Sequence, residues 1–466
     1  MSDLVARDAH AFWHPCGNER DLQVQPPLDV VGARGSWLEL ADGTRVLDAI
    51  SSWWCKSLGH GHPRLTAALK AQADAFEHVI AANTTSAGLV RLCERLIALA
   101  NGEPPAAWGA QAPAGRKPGH FSRVFLADNG STAVEVALKM ALQAQAQRGR
   151  ARRTRFAALA DGYHGETAGA LSVGDCGIYK DTFAPMLFPC AMLGPLPYRS
   201  GPHDPRWDDA AAEWPAIERA LAPLAQTLAA IIYEPVMQGA GGMRLYSPDL
   251  LRRLRRWADE HDVLLIADEI AAGMGRLGAM LAGSLAGVDA DLAVLSKGLT
   301  GGYLPLSAVV VTDAVHEAFD GEWSAGRAFL HSNTWCGNAL AIAVANAALD
   351  VYADEDVLGQ VARRGPRLRL GLDDLARSRR WLHDVRGCGM MAAVDLRRAD
   401  GSPLPRAARA GWRASREAMA HGVLLRPLGD TLYLLPPLNS SPDEIERMIA
   451  VLGESADAAM AAIGEA

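Results

Sequence analysis

The middle of the chain alternates between two hydrophobic periods. "RVFLAD" (123–128), "RFAALADG" (155–162), "LAAIIYEPV" (228–236), "VLLIADEI" (263–270), "LAVLSKG" (292–298) and "PLSAVVVT" (305–312) are short, nearly continuous apolar runs that read as buried strands. Between them "STAVEVALKMALQAQAQR" (131–148) and "SPDLLRRLRRWADEH" (247–261) repeat their apolar positions at helical spacing. Strands buried on both faces and separated by helices predict an α/β fold around a largely parallel sheet. A ligand then belongs at the carboxyl ends of the strands.

Those ends carry polar residues. "LLIADEI" delivers Asp268 and Glu269, and "AVLSK" delivers Lys297 just before a glycine-rich turn. A lysine at the inner end of a buried strand is costly as an ammonium; once neutral it can act as a nucleophile toward carbonyls. "FLADNGSTAVE" passes from strand through Gly130 and Ser131 into a helix, a pattern that offers free backbone N–H groups to a phosphate. "DGYHG" places Tyr163 in the turn after another strand. Each feature alone also reads as a cap, a turn or packing. Their conjunction meets the needs of pyridoxal 5′-phosphate: a lysine for an imine, an acid for the pyridine nitrogen, a flat partner and an anion cradle.

Elsewhere the signal is coarser. The stretches 101–119 and 195–209, rich in Pro and Gly, predict surface excursions, and the basic run "RGRARRTR" (148–155) predicts a solvated helix end. Beyond residue 345 the texture changes to charged amphipathic helices and the strand-like runs "DVRGCGMMAAVDL" and "GVLLRPLGDTLYLLPPL". This predicts a smaller α+β domain over 346–466, a large domain over 60–345, and an N-terminal segment, 1–59, packing with the small one. "SWLELADGTRVLDAI" within that segment reads as a hairpin.

Composition narrows the function classes. The chain has 466 residues, enough for more than one lobe, and a formal charge of −7, which argues against nucleic acid or an anionic membrane as the main partner. No run is apolar enough to span a bilayer, and the N-terminus lacks a secretory pattern, so a cytoplasmic enzyme of small molecules is expected. Seven scattered cysteines without a C-x-x-C pair read as reduced thiols. His60 and His62 in "GHGHP" complete no metal set, and no metal is expected.

With "IIYEPVMQGAGGMRLYSPDLLRRLRRWADEHDVLLIADEIAAGMGRLG" and "LSKGLTGGYLPLSAVVVT" the sequence resembles the class III (ω-) aminotransferases of the fold-type I pyridoxal-phosphate enzymes, over about residues 10–440. The resemblance implies a mainly parallel seven-stranded sheet and a homodimer with active sites at its interface. It implies Lys297 as the Schiff-base lysine, Asp268 on the pyridine nitrogen, Gly130 and Ser131 on the phosphate, and Tyr163 stacked on the ring. Thr334, with Asn333, would reach the phosphate of the neighbouring subunit's cofactor, and Ser332 would lie beside the substrate. Trp53 would line the substrate tunnel, Arg426 would hold a substrate carboxylate, and Arg276 would stand near the same pocket. Taken alone, Trp53 and Trp54 read as readily as core aromatics, and Arg426 as a surface ion pair.

The finer motifs "FWHP", "SSWW", "QGAGGMR" and "LLRPLGDTLYLLPP" are similar to those of members that aminate 8-amino-7-oxononanoate with S-adenosylmethionine, giving 7,8-diaminononanoate for biotin synthesis. Two positions depart from that pattern: Cys16 stands where a tyrosine is common, and "HSNT" (331–334) replaces "HGPT". The rival readings are a class III enzyme using lysine or another amine, or another ketone, and a non-catalytic cofactor-binding regulator. Intact Lys297 and Asp268 weigh against the last.

Overall fold

The computed structural model describes residues 3–111 and 120–465. Its centre is a seven-stranded sheet in the order Phe121–Ala127, Ser307–Thr312, Leu292–Leu295, Leu264–Asp268, Leu228–Tyr233, Arg155–Leu159 and Cys190–Leu193. The last five strands in this order are parallel; Ser307–Thr312 runs antiparallel to both its neighbours. All residues of Leu228–Tyr233, Leu264–Asp268 and Leu292–Leu295 are buried, as strands covered on both faces must be.

Helices cover the sheet where the 3.6-residue pattern places them. Gly130–Gln147 starts at Asn129, whose side chain accepts from Thr132 N at 3.1 Å while Thr132 Oγ1 accepts from Asn129 N, a reciprocal cap that fixes the helix start beside the strand end. Pro248–Glu260 begins after Ser247, whose hydroxyl accepts from Asp249 N, with proline at the first helical position. Val134, Ala137, Leu138 and Ala141 of the first helix pack on Ile232, Ile266 and Val294 of the sheet.

Outside the central sheet, Trp37–Leu40 and Arg45–Asp48 form the hairpin, and Arg45–Asp48 also pairs in parallel with Val423–Leu424. A third sheet joins Leu382–Cys388, Met391–Leu396 and Thr431–Leu434. The helix Ala339–Asp354 runs unbroken through residue 345, where the texture of the sequence changes.

Three expectations are corrected. Arg153 of the basic run is buried: its Nη1 donates to Ala225 O and Leu228 O and its Nη2 to His261 O, tying the entry of the strand Leu228–Tyr233 to the end of the helix Pro248–Glu260. The stretch 195–209 is not only surface, since Tyr198–Arg199 pairs with Arg244–Tyr246 and Arg199 is buried. In 101–119, Trp108 is buried in the core below the helix Ala87–Ala100, while 112–119 lies outside the described residues. Among the described residues no helix is long and apolar enough to cross a membrane.

Candidate active site

Four parallel strands end at one edge of the sheet, and each sends the next few residues into the same cavity of about 450 Å³. Leu264–Asp268 contributes Asp268, Leu292–Leu295 contributes Lys297, Leu228–Tyr233 contributes Glu234, and Arg155–Leu159 contributes Tyr163 and His164. Gly130 and Ser131 close the cavity from the start of the capped helix. Trp53 and Trp54 close it from the N-terminal segment.

Lys297 leaves its strand at φ +36°, which turns the side chain out of the sheet. Burial holds its ammonium below the ordinary lysine range, against the opposing pull of Asp268 and Glu234. Nζ lies 5.2 Å from the centroid of the Trp54 ring, whose Nε1 donates to Tyr433 Oη at 2.9 Å. A lysine so placed is brought closer to the neutral form that proton transfer and carbonyl attack require.

Asp268 is 3% exposed. Its Oδ1 accepts from Ile270 N at 3.0 Å, and its Oδ2 lies 2.7 Å from His164 Nδ1. An ionised carboxylate has about four acceptor positions, so capacity is left for a donor from the cavity. His164 Nε2 is buried and has no partner among the described residues. Glu234 accepts from Tyr163 N and from Gly239 N, both at 2.9 Å, and burial pushes it up to about 7. The Tyr163 hydroxyl donates to Glu166 Oε1 at 3.1 Å, and burial raises that phenol far above its ordinary range.

The cavity fits a flat, phosphorylated heterocycle. A Cβ at Gly130 would stand 2.9 Å from the movable end of Ile270, while one at Gly165, which has φ +126°, would run into Ser131, so the Gly165 turn requires glycine. Ser131 Oγ accepts from Glu166 N at 3.3 Å and retains its proton for an anion, beside the free N–H groups of the first helical turn.

A second, outer cavity of about 1020 Å³ adjoins the first, and Trp53 stands in the wall of both. Trp53 is 47% exposed, and the guanidinium of Arg426 lies 4.6 Å from its ring centroid. Cys16 and Tyr179 line the outer cavity.

Other residues singled out in the sequence lie elsewhere. Arg276 is not in either cavity wall: it is buried, with Nη1 donating to Met390 O at 2.9 Å and Pro436 O at 2.6 Å, and Nη2 to Ser51 Oγ at 3.3 Å. Three of its N–H groups are thus engaged, two by carbonyls and one by a hydroxyl, and the carbonyl bonds tie the turn after the acid strand to the C-terminal part of the chain. Ser332, Asn333 and Thr334 are also away from this chain's cavity. Asn333 Oδ1 lies 3.2 Å from His331 Nε2, and Ser332 and Thr334 are exposed. Two cavity residues were not singled out in the sequence. His164 lies inside the quoted "DGYHG" and Glu234 ends the strand "LAAIIYE"; the position of each at a strand's carboxyl edge was the available signal.

Comparison with known proteins agrees with this geometry. The family described as Aminotransferase class-III matches residues 20–455. The chain is 37% identical over 453 residues to the adenosylmethionine-8-amino-7-oxononanoate aminotransferase of Geobacter sulfurreducens, covering 96% of each. It is 38% identical to the protein of that name from Synechococcus elongatus, covering 96% of this chain and 98% of the other. Among solved structures, the adenosylmethionine-8-amino-7-oxononanoate aminotransferase of Methanocaldococcus jannaschii superposes with a TM-score of 0.87 at 28% identity, covering 98% of both chains. An amine transaminase from an uncultivated Pseudomonas species, solved in its PLP-bound form, superposes at 0.86 and 35% identity, covering 96% of this chain and 98% of that one. A strand-edge lysine and acid in one cavity, on a fold and sequence shared along nearly the whole length, place the chain in the class III aminotransferase family.

Proposed function

We propose that this aminotransferase uses pyridoxal 5′-phosphate to move an amino group from S-adenosylmethionine to 8-amino-7-oxononanoate, giving 7,8-diaminononanoate in biotin biosynthesis. The observation that carries the reading is the line from Lys297 past Trp54 and Trp53 to Arg426: a proton-transfer group at one end and a carboxylate receptor at the other, with an aromatic passage between. Such a passage suits a substrate with its ketone near one end of a methylene chain and its carboxylate at the other.

Bound in the inner cavity, the cofactor supplies the electron sink that makes the donor's α-proton removable. Lys297 Nζ, whose ammonium burial disfavours, would take the proton at the donor's α-carbon and return one at the acceptor carbon. Asp268, oriented by His164 and Ile270 N, would present its carboxylate to the cofactor's ring nitrogen. Gly130 and Ser131 hold the phosphate, and Tyr163 provides a flat side wall whose position is set by Glu234. Arg426 holds the acceptor's carboxylate against the Trp53 face.

The active unit of this reading is a homodimer. Trp323, Leu330 and Trp335 are 77%, 76% and 58% exposed around Ser332, Asn333 and Thr334, an apolar surface suited to a second copy that would carry those three residues to the neighbouring cavity. Seven unpaired cysteines fit a reducing, cytoplasmic setting. A single-turnover experiment tests the donor. S-adenosylmethionine is expected to change the bound cofactor's absorbance, and 8-amino-7-oxononanoate to restore it. If lysine or a simple amine succeeds where S-adenosylmethionine fails, the second reading holds, a class III enzyme with another donor. Cys16 in the outer cavity wall, where related chains carry a tyrosine, is the feature that favours that alternative.

A further inference from the structure

The two cavity tryptophans hang from a backbone of unusual shape. Ser51, Ser52 and Trp54 have φ of 50°, 56° and 65°, three non-glycine residues in the left-handed region within four positions. Such residues persist only where their surroundings over-determine them. Trp54 is held by its own hydrogen bond to Tyr433, and Ser51 by donating to Leu435 O at 2.7 Å. Trp53 has no such tie of its own, and its ring is the platform for Arg426.

What fixes Trp53 is the residue before it. Asp48 is fully buried at the end of Arg45–Asp48, and its carboxylate gathers four groups. Oδ1 accepts from Ile50 N at 3.2 Å and Ser52 N at 2.8 Å; Oδ2 accepts from Ser52 Oγ at 2.9 Å and lies 2.9 Å from His60 Nε2. Only an acceptor with two oxygens can serve this set, and its charge strengthens each bond. We propose that Asp48 is a positioning residue for the substrate's carboxylate: by clamping Ser52 it holds the Trp53 ring at the angle on which Arg426 rests.

The inference rests on the reading that Arg426 receives a carboxylate. Asp48→Asn keeps the size of the side chain but removes its charge, and in either orientation its NH2 group faces the Ser52 N–H, which lies 2.8 Å from Oδ1 and 2.7 Å from Oδ2 of the native carboxylate. Trp53 and Arg426 then lose their register. Trp54 and Lys297, anchored through Tyr433, keep theirs.

The test uses calorimetric titration of the holoenzyme with nonanoate, a medium-chain carboxylate, and with 1-nonanol as the uncharged control. Asp48→Asn is expected to weaken nonanoate by about tenfold, and Ser52→Ala by about threefold, the scale of one charge-assisted and one ordinary hydrogen bond. Nonanol binding, the melting temperature and the cofactor's visible absorbance should change little. Unchanged nonanoate affinity in folded Asp48→Asn, or an equal loss for nonanol, overturns the proposal. If Asp48→Asn does not fold, Ser52→Ala decides, and unchanged nonanoate affinity there overturns it. Failure of the unaltered enzyme to bind nonanoate would instead remove the carboxylate reading of Arg426, and the role of Asp48 with it.

Discussion

His164 Nδ1 lies 2.7 Å from Asp268 Oδ2, and both side chains are buried. The imidazole, itself in the wall of the inner cavity, therefore sets the orientation of the acid beside it. His164→Leu should strand one carboxylate oxygen without its partner, lowering stability by about 1.5–3 kcal/mol. Urea unfolding of the cofactor-free protein measures that loss. Titration with pyridoxal 5′-phosphate should show weaker binding in the same variant; unchanged binding would mean that Asp268 is oriented by Ile270 N alone.

On the proposed reading, turnover depends on Lys297. Lys297→Ala should reduce the rate by about 10²-fold to 10⁴-fold or more, the range set by removing a positioned acid–base group. Borohydride reduction followed by peptide mass spectrometry should find the cofactor's mass on the Lys297 peptide of the unaltered enzyme and nowhere in the variant. Label at Lys56 or Lys180 instead would relocate the chemistry.

The contact between Arg426 and Trp53 predicts a split in the kinetics. Arg426→Leu should raise KM for the carboxylate-bearing ketone by about 10-fold to 100-fold while affecting kcat much less, because a hydrogen-bonded charge pair is lost from binding. Arg426→Lys should recover only part, since an ammonium lacks the planar face that lies on the indole. Equal losses in KM and kcat would place Arg426 in the chemical step.

Glu269 gives a pH prediction. It is buried, accepts from Ala282 N at 2.7 Å and Gly283 N at 2.8 Å, and burial pushes it up to about 7. The folded state thus holds the proton more tightly than the unfolded chain. The stability this contributes is fully present below the unfolded value of 4.5 and is lost as pH rises through about 7. Glu269→Gln should flatten that part of the profile, by on the order of 3 kcal/mol, when urea unfolding is followed from pH 4.5 to 8. A variant profile parallel to that of the unaltered protein would count against the raised value.

The sheet and its reactive edge were legible because strand burial and strand ends are local properties. The runs ending in Asp268 and Lys297 are apolar without interruption, so the first charged residue after each one marks the edge. His164 and Glu234 obey the same rule but stand next to residues with stronger local associations, Tyr163 before the one and Pro235 after the other. Arg276 and Arg153 show the opposite difficulty: an arginine's role depends on which carbonyls the fold brings to it, and Met390, Pro436, Ala225 and His261 are distant in sequence. The strained turn at Ser51–Trp54 could not be read either, since beside the nearby Asp48 its support comes from Tyr433 and Leu435, far along the chain.

The bonds from Arg276 to Met390 O and Pro436 O run between the turn that follows the acid strand and the C-terminal third of the chain. Swinging those two parts apart would have to break both bonds, each of them strengthened by the arginine's charge. Arg276 thus acts as a rivet between them, and any parting along that line has to undo both contacts before it can begin.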